Sequence, residues 1–552
     1  MTIFTKSLLT CCLTACSVLQ LQAADLPIKI TKRYLNLPVS QAQQRSNMKF
    51  TVCGKKEREF KIRLASGEPE YWVFCDVSNL KGKTVTISYE GDNAGLSKIY
   101  QDDKIAGQDS MYHEKNRPQF HFTTRRGWIN DPNGMIFYEG EYHLFYQYNP
   151  YEREWENMSW GHAVSKDMIH WQELPVALSP DDMGTMFSGS AVIDYNNTAG
   201  FNKGKTPAMI ATYTVDGHGK QVQCMAYSLD KGRTWTKYKG NPLIDSKEKW
   251  NSQDTRDPRV FWYAPGKHWV MALNERDGHS IYNSTNLKDW TYQSHTTGFW
   301  ECPDLFELPV DGDKSKTKWV MYGASNTYMI GSFDGKKFTP ESGKHYFSTG
   351  TIYAAQTFTN IPDNDGRRIQ IGWGRLSHPG MPFNGIMLLP TELTLKTTKN
   401  GVRLFSTPIK ETEQLFEKVG QWTNLKEAAA NDQLKAYNNN NNNDRLRIKT
   451  TIKLSHATSA GLNLFGQRII DYDMNYNTIN SVFYSPDDMT SMELSADIYI
   501  DRTSIEVFID NGAYSYSMQR KPDAKNTEGF HFWGNNIDVK NLEVYTVKSI
   551  WE

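Results

Sequence analysis

The chain has 552 residues, and its 62 Lys+Arg are balanced by 62 Asp+Glu. Zero net charge argues against nucleic acid or an anionic membrane as the main partner, since both select a basic surplus. One strongly apolar stretch, at the N-terminus, excludes a multi-pass membrane protein. The excess is aromatic, at 13% with 16 Trp and 29 Tyr. These rings have flat apolar faces and polar edges, which suit β-sheet cores and also stacking on sugars.

Residues 1–24 read as an export signal: Lys6 precedes an apolar run from Leu8 to Leu21, and Ala23 offers a small residue for cleavage. Leu13-Thr14-Ala15-Cys16 also resembles a bacterial lipoprotein box with Cys16 as the lipid anchor. The apolar run continues past Cys16, which favours simple secretion, so the expectation is an exported periplasmic or extracellular protein. Residues 25–112 contain strand patterns such as YWVFCDV and KTVTISYE and read as a small N-terminal β-domain. Within them Cys53 and Cys75 fit either a disulfide or two free thiols. No CxxC pair occurs, so a zinc site is not expected.

A repeat follows. Ser165-Lys-Asp-Met-Ile-His-Trp171 is echoed by Ser228-Leu-Asp-Lys-Gly-Arg-Thr-Trp235, Ser284-Thr-Asn-Leu-Lys-Asp-Trp290 and Ser332-Phe-Asp-Gly-Lys-Lys-Phe338, with serines 63, 56 and 48 residues apart. Each copy reads as strand, polar turn, then an aromatic opening the next strand. A recurring unit of this length marks the blades of a β-propeller, here over 117–405. Ile409, Leu415, Phe416 and Val419 suggest a short linker helix over 406–419. Strand patterns resume over 420–552, a β-sandwich candidate. The run Asn438 to Asn443 reads as a surface loop.

Three acidic residues stand in unusual settings: Asp131 in Trp128-Ile-Asn-Asp-Pro-Asn-Gly134, Asp257 in Arg256-Asp-Pro-Arg259, and Glu301 in Trp300-Glu-Cys-Pro-Asp304. Taken singly, NDPNG is also a strong turn sequence and RDP a common surface ion pair. In a propeller, however, carboxylates remote in sequence can meet at one mouth of the central channel. A carboxyl beside Trp300 has its charged form disfavoured and could hold a proton to donate.

The motifs WINDPNG, FYQYNP, MSWGHAVSKDMIHW, FSGSAV, RDPRVFW and ECPDLFEL, in this order, resemble glycoside hydrolase family 32, which holds invertases, inulinases and levanases. DRTSIEVFIDNG resembles that family's terminal sandwich signature, and 25–112 resembles an accessory domain of some Bacteroides-type fructan hydrolases. The resemblance implies an all-β chain: a five-bladed β-propeller, a C-terminal β-sandwich and the small N-terminal β-domain. It implies a retaining β-fructosidase acting on levan, inulin or sucrose, with exo-action favoured over endo. Asp131 would be the nucleophile, Glu301 the general acid/base, and Asp257 the stabiliser of the transition state. Asn130, Gln147, Trp155, Ser188, Arg256 and Trp373 would contact the terminal fructose. The chemistry requires opposed settings, with Asp131 held charged by donors and Glu301 kept neutral by desolvation.

No HExxH or GxSxG occurs, Gly200–Thr206 misses the phosphate-loop spacing, and Asp311-Gly-Asp313 lacks the rest of a calcium loop, so no cofactor or metal is expected. Two other readings stay open: a sialidase-like hydrolase, since SxDxxxW also resembles that family's turn, and a fructan-binding protein without catalysis.

Overall fold

The computed structural model describes residues 24–437, 444–454, 458–483, 493–521, 529–534 and 537–551. The expected signal lies outside them except for Ala24, which opens the first strand, and so does the run 438–443. The chain is all-β and divides into two compact units, 1–106 and 107–552, so the first unit closes at Ala106 rather than at 112.

In the first unit, Ala24–Lys29, Thr84–Tyr89, Ser46–Val52 and Lys55–Ile62 form one antiparallel sheet, and Tyr71–Asp76, Tyr34–Val39 and Tyr100–Asp102 form another. Alternating residues such as Met48, Phe50, Val73, Cys75 and Ile87 are buried, as the period of two requires. Cys53 and Cys75 are not bridged to each other. Cys75 is buried in the core, whereas Cys53 sits exposed at φ 49 in a hairpin turn with Gly54.

The second unit opens with successive antiparallel groups of four strands. Their leading strands are Gly127–Tyr138, Thr185–Asp194, Thr255–Tyr263, Asp304–Val310 and Ile352–Thr357. Polar side chains tie these leading strands together. Ser190 Oγ donates to Pro258 O, and Thr359 Oγ1 donates to Ala191 O. Arg259 donates to Thr357 O while the Thr357 amide donates to Asp304. The first strand also takes a parallel partner from far along the chain, Phe383–Asn384.

The repeated sequence motif is one turn used again and again between the third and fourth strands of a group. In the first copy Ser165 Oγ and the amides of Ile169 and His170 donate to Asp167 Oδ1, and Trp171 Nε1 donates to Met168 O at 3.0 Å. Trp235 and Trp290 repeat the indole bond at 3.0 Å to Gly232 O and Leu287 O. The residue after the acidic or amide position turns left-handed in Met168, Lys231 and Leu287, and the fourth copy places Gly335 there. The aspartate side chain supplies the hydrogen bonds that such a tight corner denies the backbone.

The expected linker helix over 406–419 is absent as such. Strand Gly401–Pro408 runs into it, Lys410–Leu415 makes a 3-10 turn, and Phe416 already begins strand Phe416–Lys426. Ile409 and Leu415 are buried, which accounts for their apolar character without a helical face. Two sheets follow, of seven and five strands, packed on a core that includes Ile448, Leu462, Ile470, Ile498, Val507 and Val544. One edge of the seven-stranded sheet is Thr349–Gly350, which pairs parallel with Tyr514–Gln519. The junction is also polar. His121 lies between Asp501 at 2.7 Å and Glu506 at 2.6 Å, the imidazole fully buried.

Candidate active site

Four leading strands share one irregularity. Their ladders slip between Ile129 and Pro132, Met186 and Gly189, Arg256 and Arg259, and Tyr353 and Gln356. At each slip two residues face one. Asn130 and Asp131 oppose Gln147, Phe187 and Ser188 oppose Thr214, Asp257 and Pro258 oppose Leu273, and Ala354 and Ala355 oppose Gly372. Such bulges re-aim side chains. The conformation is strained at Asp257 (φ 66), Ala354 (φ 49), Glu301 (φ 49) and Cys302 (φ 39). Each left-handed non-glycine costs about 1–3 kcal/mol and persists only where neighbours fix it. Here they do: the Asp257 amide donates to Thr214 Oγ1 at 3.0 Å, and the Glu301 amide donates to Asn274 Oδ1 at 2.9 Å.

The three carboxylates converge. Cys302 Sγ lies 3.7 Å from Asp131 Oδ2 and 3.6 Å from Asp257 Oδ2, and the Cys302 amide donates to the same Asp257 oxygen at 3.0 Å. Glu301 is the adjacent residue. Asp131 also accepts from Ser188 Oγ at 2.8 Å and Asn130 Nδ2 at 3.1 Å, and Asn130 is oriented by Trp128 Nε1 at 2.8 Å. Arg256 places Nη2 2.7 Å and Nε 3.1 Å from Glu301 Oε1, while Tyr353 OH donates to Oε2 at 2.5 Å. Gln221 and Asp254 hold the remaining guanidinium edge.

Burial pushes the Asp257 carboxyl up to about 7, opposed by Arg256 and helped by Asp131 and Glu301. Burial also raises Asp131, although Ser188 and Asn130 work against it. Cys302 is pushed well up by burial and by the neighbouring carboxylates, so it stays a thiol. This differs from the expected division of labour. The aromatic neighbour of Glu301 does not wall off its carboxylate: Trp300 is 39% exposed and stacks on Arg256 at 5.4 Å, and it is Arg256 that grips Glu301. Asp131, expected to be the well-charged member, is raised by desolvation.

Asn130, Gln147, Ser188 and Asp257 are buried around this floor, and Gln147 Nε2 has no hydrogen-bond partner among the described residues. Trp373 stands between Trp128 at 5.7 Å and Tyr353 at 6.4 Å. Trp155 is 50% exposed and meets Phe187 edge-on at 6.1 Å, at the rim rather than the floor. Tyr353, Thr214 and Asn274 were not singled out from the sequence. Tyr353 lies in a plain strand, Ile352–Thr357, and only its contact with Glu301 reveals it.

The model of the glycosyl hydrolases family 32 N-terminal domain matches residues 121–408, which hold all of these groups. A levanase of Bacillus subtilis (strain 168) is 40% identical over 499 residues, covering 81% of this chain and 72% of the levanase. An extracellular exo-inulinase of Aspergillus niger is 34% identical over 523 residues, covering 80% of this chain and 96% of that enzyme. The crystal structure of exo-inulinase from Aspergillus awamori superimposes with a TM-score of 0.68 at 28% identity, over 80% of this chain and 100% of that one. The match of the family model over more than half of the chain, with the carboxylates inside it, makes this chain a glycosidase that belongs to glycoside hydrolase family 32.

Proposed function

We propose that the chain is an exported, retaining β-fructosidase that releases fructose from the ends of levan- or inulin-type fructans and also cleaves sucrose. The four-strand groups are read as a five-bladed propeller, with the first unit as an accessory β-domain. The observation that carries the reading is the convergence of Asp131 and Asp257 on one sulfur, with Glu301 beside it. The neighbouring levanase and exo-inulinases support the substrate class. No helix among the described residues is long and apolar enough to cross a membrane, and the N-terminal segment supplies the export reading.

Cleaving a fructosyl bond builds positive charge at the anomeric carbon. Asp131 attacks that carbon and forms a fructosyl ester while Glu301 protonates the leaving oxygen; Glu301 then draws the proton from the water that hydrolyses the ester. Double displacement needs the two carboxyl groups about 5–5.5 Å apart. Asp257 bonds sugar hydroxyls and balances the developing charge. Burial, with the Asp131 and Glu301 charges beside it, raises Asp257 to about 7, so Asp257 holds a proton for part of the time near neutrality. Sugar hydroxyls entering the pocket take over the Arg256 donors, and Glu301 is freed from its ion pair to act as the acid. Asn130, Gln147, Ser188 and Trp373 line the fructose pocket, and Trp155 forms its outer wall.

Glu301→Gln is expected to lower kcat on fructans by about 10²–10⁴-fold with the fold intact by circular dichroism. The product first seen by NMR should be β-fructose, and levan should yield free fructose alone. An α-product rejects double displacement, an oligomer ladder rejects exo-action, and binding without turnover by the unsubstituted chain rejects catalysis.

A further inference from the structure

The leading strands that open on the carboxylates continue to a second cavity. Ile193, Trp262 and Phe306 line it, each about five residues beyond Ser188, Asp257 and Glu301. At ~3.3 Å per strand residue, that separates it from the carboxylates by roughly 16 Å. Its volume is about 650 Å³, within the range of ligand-binding cavities. None of Asp131, Asp257 or Glu301 lines it.

The lining alternates aromatic faces with polar edges. Trp262 and Trp319 are partly buried and present the walls. Tyr195 at the rim is 60% exposed, yet its hydroxyl is fixed: Asn360 Nδ2 donates to it at 3.0 Å and to Phe137 O at 2.7 Å, with Asn360 itself left-handed at φ 60. An exposed ring held by its polar tip is preorganised, which removes part of the ordering cost of binding. Arg368 lies over the Phe306 ring at 5.0 Å and, among the described residues, donates one long bond, 3.4 Å, to Phe358 O. The nearby Asp304 is already engaged by Arg259 at 2.9 Å and by the Thr357 amide at 2.8 Å. Arg368 therefore keeps donors for a ligand. Glu307 and Asp363, exposed at the same cavity, accept hydroxyl groups and repel anions.

We propose that this cavity is a non-catalytic saccharide site that holds a neutral furanoside chain, a second stretch of fructan bound while another end is hydrolysed. The ligand class rests on the fructan reading above; the site rests on its own lining. Aromatic faces with scattered donors and acceptors suit a polyol, and the two carboxylates disfavour a phosphate or an acidic sugar.

The test uses the full chain carrying Glu301→Gln, so that polymer is bound and not consumed, with levan as the probe in affinity electrophoresis. Adding Tyr195→Ala or Arg368→Gln should weaken levan retention roughly three- to tenfold. In the chain with Glu301 intact, Tyr195→Ala should leave kcat/KM for sucrose unchanged. Unchanged retention in both variants overturns the proposal, as does displacement of levan by millimolar inorganic phosphate. Failure of the unsubstituted chain to hydrolyse sucrose or levan would instead sink the functional reading, a separate outcome read in a separate assay.

Discussion

Asp167 and Asp257 occupy tight backbone corners in the same family of meanders, and their carboxyls shift in opposite directions. Burial works against the charge of both. At Asp167 it is outweighed by the His170 ring, the His170 and Ile169 amides and Ser165, which hold the group at about 2. At Asp257 the Arg256 guanidinium and one amide do not compensate, two other carboxylates add repulsion, and the group rises to about 7. Asp501 makes a third case: it is fully buried, yet His121 and the amides of Gln119 and Phe120 lower it. The donors within reach, not depth or residue type, decide whether an aspartate builds the frame or stays available for chemistry.

The comparison predicts effects of descending size. Asp257→Asn should cost roughly 10²–10³-fold in kcat, as expected for loss of an electrostatic contact in the transition state, with little change in stability. Because Asp257 is itself raised to about 7, replacing it with Asn should remove that group from the acidic limb of the kcat/KM profile and move the limb to lower pH; an unmoved limb would show that Asp257 does not set it. His121→Ala should be the converse, a loss of about 3–5 kcal/mol of stability in denaturant unfolding, because it strands Asp501 and Glu506 without their partner. Its pH signature has a definite sign. His121 is raised from 6.5 to about 9, the bonds to Asp501 and Glu506 overcoming burial. Its contribution is therefore complete below pH 6.5 and lost as pH climbs through about 9. The lowered Asp501 contributes above its ordinary 3.8 and loses that contribution in acid. The variant should lack the alkaline decline. Smallest of all, Asp167→Ala should cost about 1 kcal/mol, as for a lost helix cap, with kcat on sucrose unchanged.

The turns were legible because everything they need is local. Ser165 donates to Asp167 and Trp171 to the Met168 carbonyl, all within seven residues, so the spacing itself is the structure. The carboxylates were legible as motif residues, since Asp131, Asp257 and Glu301 each sit in an unusual neighbourhood. Their electrostatics were not. Arg256 reads as a sugar contact from the sequence and grips Glu301 in the fold, a contact set by how two separate strands approach. Tyr353 and the shared bulges were equally hidden, because a ladder slip is defined by a partner strand and leaves no mark in either strand alone. The linker shows the opposite failure: buried Ile409 and Leu415 suggest a helical face, but a 3-10 turn between strands buries them as well.

The small strand Thr349–Gly350 also bears on how far this enzyme can be dissected. It is stitched to Tyr514–Gln519, and the next residues, Thr351 and Ile352, donate their amides to Ser517 O and Ser517 Oγ. Tyr353, which steadies Glu301, comes immediately after. Severing the polypeptide past residue 408, where the recognised family segment stops, would unseat that tether and with it the acid. The terminal sandwich is thus not a detachable cargo but a splint, and swapping or trimming it for engineering purposes amounts to editing the reaction centre from behind.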